Sequence, residues 1–163
     1  MSFTLTSREI APDSTIGSAH VFNGSGCAGQ NISPGLSWSG PPAGTKSFAV
    51  TVYDPDAPSG SGWWHWVLYN IPASVGELPA GAGDANRRIL PAGAVQGLTD
   101  YGTTGYGGPC PPPGDKPHRY VFTVYALKVA TMDLPANASG AMVGFNIHAN
   151  ELGSASFTAL YGR

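Results

Sequence analysis

The chain has 163 residues, a length that one domain can fill with its own core, without disulfide or metal staples. Only 11% of residues are charged, the net charge is −2, and no basic stripe or block of like charges occurs, so binding a nucleic acid by phosphate neutralisation has no footprint. The 23 glycines and 15 prolines would suit a disordered chain, but apolar residues alternate between these breakers, which predicts short strands, tight turns and ordered loops.

The opening segment MSFTLTSREI lacks the charged-then-apolar pattern of an export leader, and no apolar run is long enough to cross a bilayer. A cytoplasmic location is the expectation, with Cys27 and Cys110 reduced. Both cysteines lie in loops that the fold could bring together, and their spacing fits no zinc pattern. Residues 23–42, rich in Gly, Ser and Pro, read as a long ordered loop with one short strand at Leu36–Trp38. Over 46–53, Phe48, Val50 and Val52 alternate with Ala49, Thr51 and Tyr53. Both faces are largely apolar, which predicts an internal strand covered on both sides. Residues 64–71 repeat the pattern until Pro72 stops it, and 119–128 form the longest β-rich run.

One helix is predicted near the end. Ser139 or Asn137 caps it, Ala141, Met142, Phe145, His148, Ala149 and Leu152 keep helical spacing, and Gly153 is the stop. A last strand covers 155–161. No repeat or linker divides 1–163, so the chain reads as one domain. The class is mainly β, a two-sheet antiparallel sandwich with one or two short peripheral helices.

Three segments carry chemistry. Asp54-Pro55-Asp56-Ala57-Pro58 places two carboxylates on a proline-stiffened turn after a strand, where a plain solvated turn is the simpler reading. His65 lies in Trp63-Trp64-His65-Trp66, and strict alternation points it away from Trp64 and Trp66. A lone histidine there is more often a satisfied core residue; burial would lower its pKa and a nearby carboxylate would raise it. Gly105 to Gly114 forms a Gly/Pro loop leading to His118, Arg119 and Tyr120, with His118 and Tyr120 on one face.

These segments together resemble the phosphatidylethanolamine-binding protein family, also called Raf kinase inhibitor-like, and within it the bacterial YbhB/YbcL branch. D-P-D-A-P, W-H-W-V-L-Y-N-I-P and G-x-x-P-P-x-G before H-R-Y occur in family order, as do His20-Val-Phe-Asn-Gly, Asn31-Ile-Ser-Pro, Pro42-Ala-Gly-Thr-Lys-Ser-Phe and Ser139-Gly-Ala-Met-Val-Gly-Phe-Asn. The resemblance spans essentially the whole chain. It implies a Greek-key β-sandwich and one pocket for a phosphate-like anion or phospho-head-group. Asp54, His65 and His118 match the pocket cluster, Asp56 the second acid that supports the turn, and Tyr120 a tyrosine beside the anion. Gly108, Pro109, Pro111 and Pro112 match one wall, and Ala57 and Pro58 the other, where the family places a cis proline. The helix that partly covers the pocket in eukaryotic members is not expected, so a shallow, open pocket without apolar walls is.

The function expected is a binding module in which neutral donors and an imidazolium meet a small anion, tightening at mildly acid pH. The rival is a hydrolase or other enzyme using the Asp–His–His set, although G-x-S-x-G, H-E-x-x-H and C-x-x-C are absent from the sequence. A metal on Asp54, His65 and His118 is the least favoured reading, and no cofactor is implied. The expected partners are a small phosphorylated ligand, no nucleic acid, at most a peripheral membrane contact, and a regulated kinase or other enzyme that the sequence does not name. A homodimer across the pocket mouth, anchored by Trp63 and Trp64, is a further candidate.

Overall fold

The computed structural model describes residues 2–86 and 88–163. In chain order its elements are β1 (Thr4–Thr6), β2 (Leu36–Ser39), β3 (Ser47–Asp54), β4 (Trp63–Pro72), β5 (Glu77–Leu78), β6 (Val95–Gln96), β7 (His118–Leu127), α1 (Gly140–Asn150) and β8 (Glu151–Tyr161). Strands β1-β2-β5 make a small sheet, and β6-β4-β3-β7-β8 a larger one. Neighbouring strands in both sheets run antiparallel. The expected strands are present within a residue or two of their predicted bounds, except that β8 starts four residues early.

The two apolar faces of β3 explain its central place. Phe48, Val50 and Val52 face the small sheet, packing in one core with Leu5, Leu36 and Trp38. The Trp38 and Phe48 rings stand 5.4 Å apart. Ala49 faces the other way, into a second core with Val67, Tyr69 and Leu127 under Val143 and Ile147 of α1. Each such side chain contributes about 1.5–3 kcal/mol when fully buried. No charged face is left to put β3 at a sheet edge.

Ser139, not Asn137, caps α1: its hydroxyl accepts from the Met142 amide at 3.1 Å. The predicted stop at Gly153 is wrong. The helix ends at Asn150, and Glu151 enters β8 directly. Gly153 pairs with Ala126 and Glu151 with Leu127, so the β7 ladder overrides the helical spacing of Leu152.

Two local features set up the site. Opposite β3, Val52 pairs with Trp66 and Tyr53 with Trp64, which leaves His65 as the extra residue of a bulge. The bulge corrects the expected alternation. Trp64 turns toward α1, while Trp66 joins the inter-sheet core and His65 packs 5.2 Å from the Tyr120 ring. The second feature is the acidic turn. No peptide bond among the described residues is cis, so the expected cis Ala57–Pro58 bond is absent. The chain reverses instead through an Asp56 N–H bond to Asp54 Oδ1 at 2.8 Å, a Ser59 N–H bond to the Ala57 carbonyl at 2.8 Å, and Gly62 at φ 73°.

Candidate functional site

Asp54 ends β3, His65 sits on the β4 bulge and His118 opens β7. The three side chains meet at one cavity of about 470 Å³, and each residue is 2–3% exposed. His118 is held from both sides. Its Nδ1–H donates to Asp54 Oδ2 at 2.7 Å and its Nε2–H to Asp115 Oδ2 at 2.9 Å. Burial alone would lower its pKa; the two carboxylates outweigh burial and raise it. With both nitrogens donating, His118 is an imidazolium.

His65 is the opposite case. Its Nδ1 lies 2.7 Å from the Gly107 carbonyl, which can only accept, so Nδ1 carries the proton. Burial pushes its pKa down to about 4, against the support of the Gly107 and Gly108 backbone. The ring is therefore neutral at ordinary pH, and Nε2 is an acceptor on the cavity side. The imidazolium of the cluster is His118, held by Asp54. One ring is charged but has both N–H groups engaged; the other is uncharged.

Two donors remain. Trp63 Nε1 and Tyr120 Oη are buried without a hydrogen-bond partner, and both side chains line the cavity. Buried polar groups are nearly always paired; a third orphan, Trp38 Nε1, lies in the inter-sheet core away from the cavity. Burial, with the Asp54 charge, raises the Tyr120 pKa strongly, so its phenol keeps the proton.

The walls differ from expectation. Trp63, Tyr101, Pro58, Pro111 and Pro112 make them largely apolar, with Ala57 beside Pro58. Tyr101 stacks on Phe22 at 3.9 Å, and its hydroxyl donates to the Gly108 carbonyl at 2.7 Å. Gly108 and Pro109 do not line the cavity. Gly108 donates to Asn31 Oδ1 at 2.7 Å, and a Cβ there would stand 2.1 Å from the His20 carbonyl oxygen. Pro109 accepts from the Phe22 amide at 3.0 Å. Both brace the wall from behind. Asp56 also points away, taking the Arg119 guanidinium on both oxygens at 2.8 and 3.0 Å. That bond, foremost among its interactions, lowers its pKa to about 2.

Sequence reasoning missed Asp100, Tyr101 and Asp115 as site residues and placed Trp63 only at the pocket mouth. Trp63 pairs with Asp54 across the β3–β4 ladder, a contact that the strand lengths could have revealed. Tyr101 sits in a turn held by Thr99, and no pattern in the sequence marks it. Trp64, proposed for the pocket mouth, packs under α1, where a Cβ on Gly140 would meet its ring at 2.4 Å. Cys27 and Cys110 are bonded, with Cα atoms 6.0 Å apart, so the reduced-thiol expectation is overturned. The bond joins the turn of Ser25 to the proline wall, both of which line the cavity.

The model of the phosphatidylethanolamine-binding protein family matches residues 6–162. The chain belongs to that family. It is 55% identical over 160 residues to the UPF0098 protein YbcL of Escherichia coli, covering 98% of this chain and 87% of that one. It is 53% identical over 157 residues to YbhB of the same organism, covering 96% and 98%. The crystal structure of E. coli YbcL, described as a new member of the mammalian family, superposes with a TM-score of 0.98 over 100% of this chain and 99% of that one. The homologue CT736 of Chlamydia trachomatis gives 0.82 at 32% identity, covering 99% and 98%. This family member holds the Asp54–His118 pair and the neutral His65 in one buried cluster.

Among the described residues no group of three His, Cys, Asp or Glu side chains is arranged to hold a metal ion. The cause is visible in the bonds. The Asp54–His118–Asp115 chain occupies both ring nitrogens of His118, which leaves His65 Nε2 as the free ring nitrogen of the cluster. No helix of the described residues is long and apolar enough to cross a membrane.

Proposed function

We propose that this protein is a binding module for a small oxyanion of the phosphate or phosphomonoester type. The observation that carries the reading is the pair of partnerless buried donors, Trp63 Nε1 and Tyr120 Oη, beside Asp54, His65 and His118. A small shift of either side chain would let a ligand oxygen pair it. The apolar walls suit the organic part of a phosphomonoester. An enzymatic reading has less support, because two of the nucleophiles at the cavity are engaged. Ser59 Oγ donates to the Gly62 carbonyl, and Cys110 is in the disulfide. For the compartment, the half-buried Cys27–Cys110 bond favours an oxidising setting over the expected cytoplasm.

The test is a calorimetric titration with phenyl phosphate at pH 5, on the oxidised protein and on Tyr120→Phe. We expect saturable binding at one site, weakened about tenfold in the variant by loss of one bond worth about 1.5 kcal/mol. No binding, or identical binding by the variant, overturns the reading.

A further inference from the structure

The cavity has more acceptors than an ordinary anion site. His65 presents Nε2 as a bare lone pair, since Nδ1–H is committed to the Gly107 carbonyl. Asp54 and Asp100 stand at the cavity as carboxylates, and Asp115 lies behind His118. Against these three stands the His118 imidazolium, with no N–H to spare. Arg119 is tied to Asp56. Arg163 is behind the proline wall, donating to the carbonyls of Pro111 and Gly26.

A fully ionised oxyanion has acceptor oxygens only. In this cavity it would set lone pairs against His65 Nε2 and charge against charge at Asp54. An oxyanion that keeps one O–H removes the clash at Nε2 and brings one charge less against Asp54. Its hydroxyl donates to Nε2, and its remaining oxygens accept from Tyr120 and Trp63.

Resting on the oxyanion reading above, we propose that the pocket selects oxyanions that still carry a proton, with His65 Nε2 as the acceptor that reads it. The class is the monoanion of a phosphomonoester, or phosphate in its monoanionic form. Sulfate esters and dianionic phosphates are rejected. The proton stays on the ligand, so no covalent or redox step is involved.

The other titratable groups facing the His65 ring are Tyr101 and Tyr120, at 5.6 and 5.2 Å between ring centroids. Asp54, Asp100 and His118 share its cavity. Both phenols are raised by burial and remain protonated. Burial keeps the His65 ring neutral down to a pKa of about 4, so at pH 5 it is an acceptor.

The deciding experiment compares phenyl phosphate with phenyl sulfate. A phosphomonoester has its second ionisation near pH 6, so at pH 5 about nine-tenths of phenyl phosphate is the monoanion. Phenyl sulfate then has the same charge and nearly the same shape, and lacks only the proton. We expect phenyl phosphate to bind at least about tenfold tighter at pH 5, the worth of one charge-assisted hydrogen bond. Its affinity should fall about tenfold per pH unit above 6, while phenyl sulfate, which reports any change in the protein, stays flat. In His65→Gln, whose amide can turn either end to the cavity, the preference should shrink toward unity. Equal affinities at pH 5, or a tighter phenyl sulfate complex, overturn the selectivity and leave a plain anion site. Binding of neither ligand overturns the oxyanion reading itself, and this inference with it.

Discussion

His65 and Gly107 are bonded to each other twice: the Gly107 amide donates to the His65 carbonyl at 2.8 Å, and the His65 ring donates to the Gly107 carbonyl at 2.7 Å. The double contact fixes the ring's tautomer and ties β4 to the Gly/Pro loop. It also leaves a buried imidazole with no carboxylate bonded to its ring.

The two pocket histidines should therefore titrate far apart. His65 has a folded pKa of about 4 against an unfolded value near 6.5. Its folded form binds fewer protons between those values, so it contributes stability present above pH 6.5 and lost as pH falls toward 4. At about 1.4 kcal/mol per pH unit the loss approaches 3 kcal/mol. His118 works in the other direction. Its pKa is raised, so its contribution is full below pH 6.5 and is lost as pH rises through the folded value. Histidine ring NMR shifts followed from pH 8 to pH 4 should show His118 already charged where His65 is still neutral. Urea unfolding at pH 7 and pH 4.5 should show a smaller acid loss in His65→Gln than in the wild type.

Tyr120→Phe removes a buried hydroxyl that has no partner. Without ligand the variant should be as stable as the parent, or more stable by up to about 1 kcal/mol. Thermal unfolding checks this. A loss of 2 kcal/mol or so would mean that the hydroxyl is already paired within the protein.

The glycines of α1 should respond to alanine with opposite signs. At Gly144 a Cβ would lie 3.9 Å from the Trp64 ring, an ordinary contact, so Gly144→Ala should gain about 1 kcal/mol from helix propensity. At Gly140 the Cβ would lie 2.4 Å from the same ring, and Gly140→Ala should lose about 1–3 kcal/mol by overpacking. Denaturant midpoints of the two variants decide the matter.

The cysteine bond closes a loop between residues 83 apart in sequence. Intact protein should run two hydrogens lighter by mass than the reduced form and take up no alkylating agent before reduction. Reduction, or Cys27→Ser with Cys110→Ser, should lower stability by about 2–4 kcal/mol. An alkylatable thiol in freshly isolated protein would contradict the bonded structure.

Much of the fold was legible because β3, β4 and β7 are long, periodic and bounded by breakers. The members of the buried cluster were legible too, through ordered motifs. What was not legible depends on contacts distant in sequence. The facing of His65 follows from a bulge, which needs the β3 partner to define it. The end of α1 follows from the β7 ladder, and the place of Asp56 from Arg119. Tyr101 reaches the cavity only because Phe22 and Gly108 receive it from other loops.

The seat of β3 in the middle of the large sheet bears on how the chain reaches its native state. β3 pairs first in sequence with β4, but its other edge waits for β7, where Ser47 meets Leu127. Until that late strand has been synthesised, the β3–β4 hairpin carries an unsatisfied β3 edge that holds Phe48, Val50, Val52 and Tyr53. Such an edge is a template for pairing with other chains. Contacts so far apart in sequence also slow folding. Newly made chains should thus be most prone to aggregate while β7 is still missing, and chains truncated before His118 should accumulate as insoluble material.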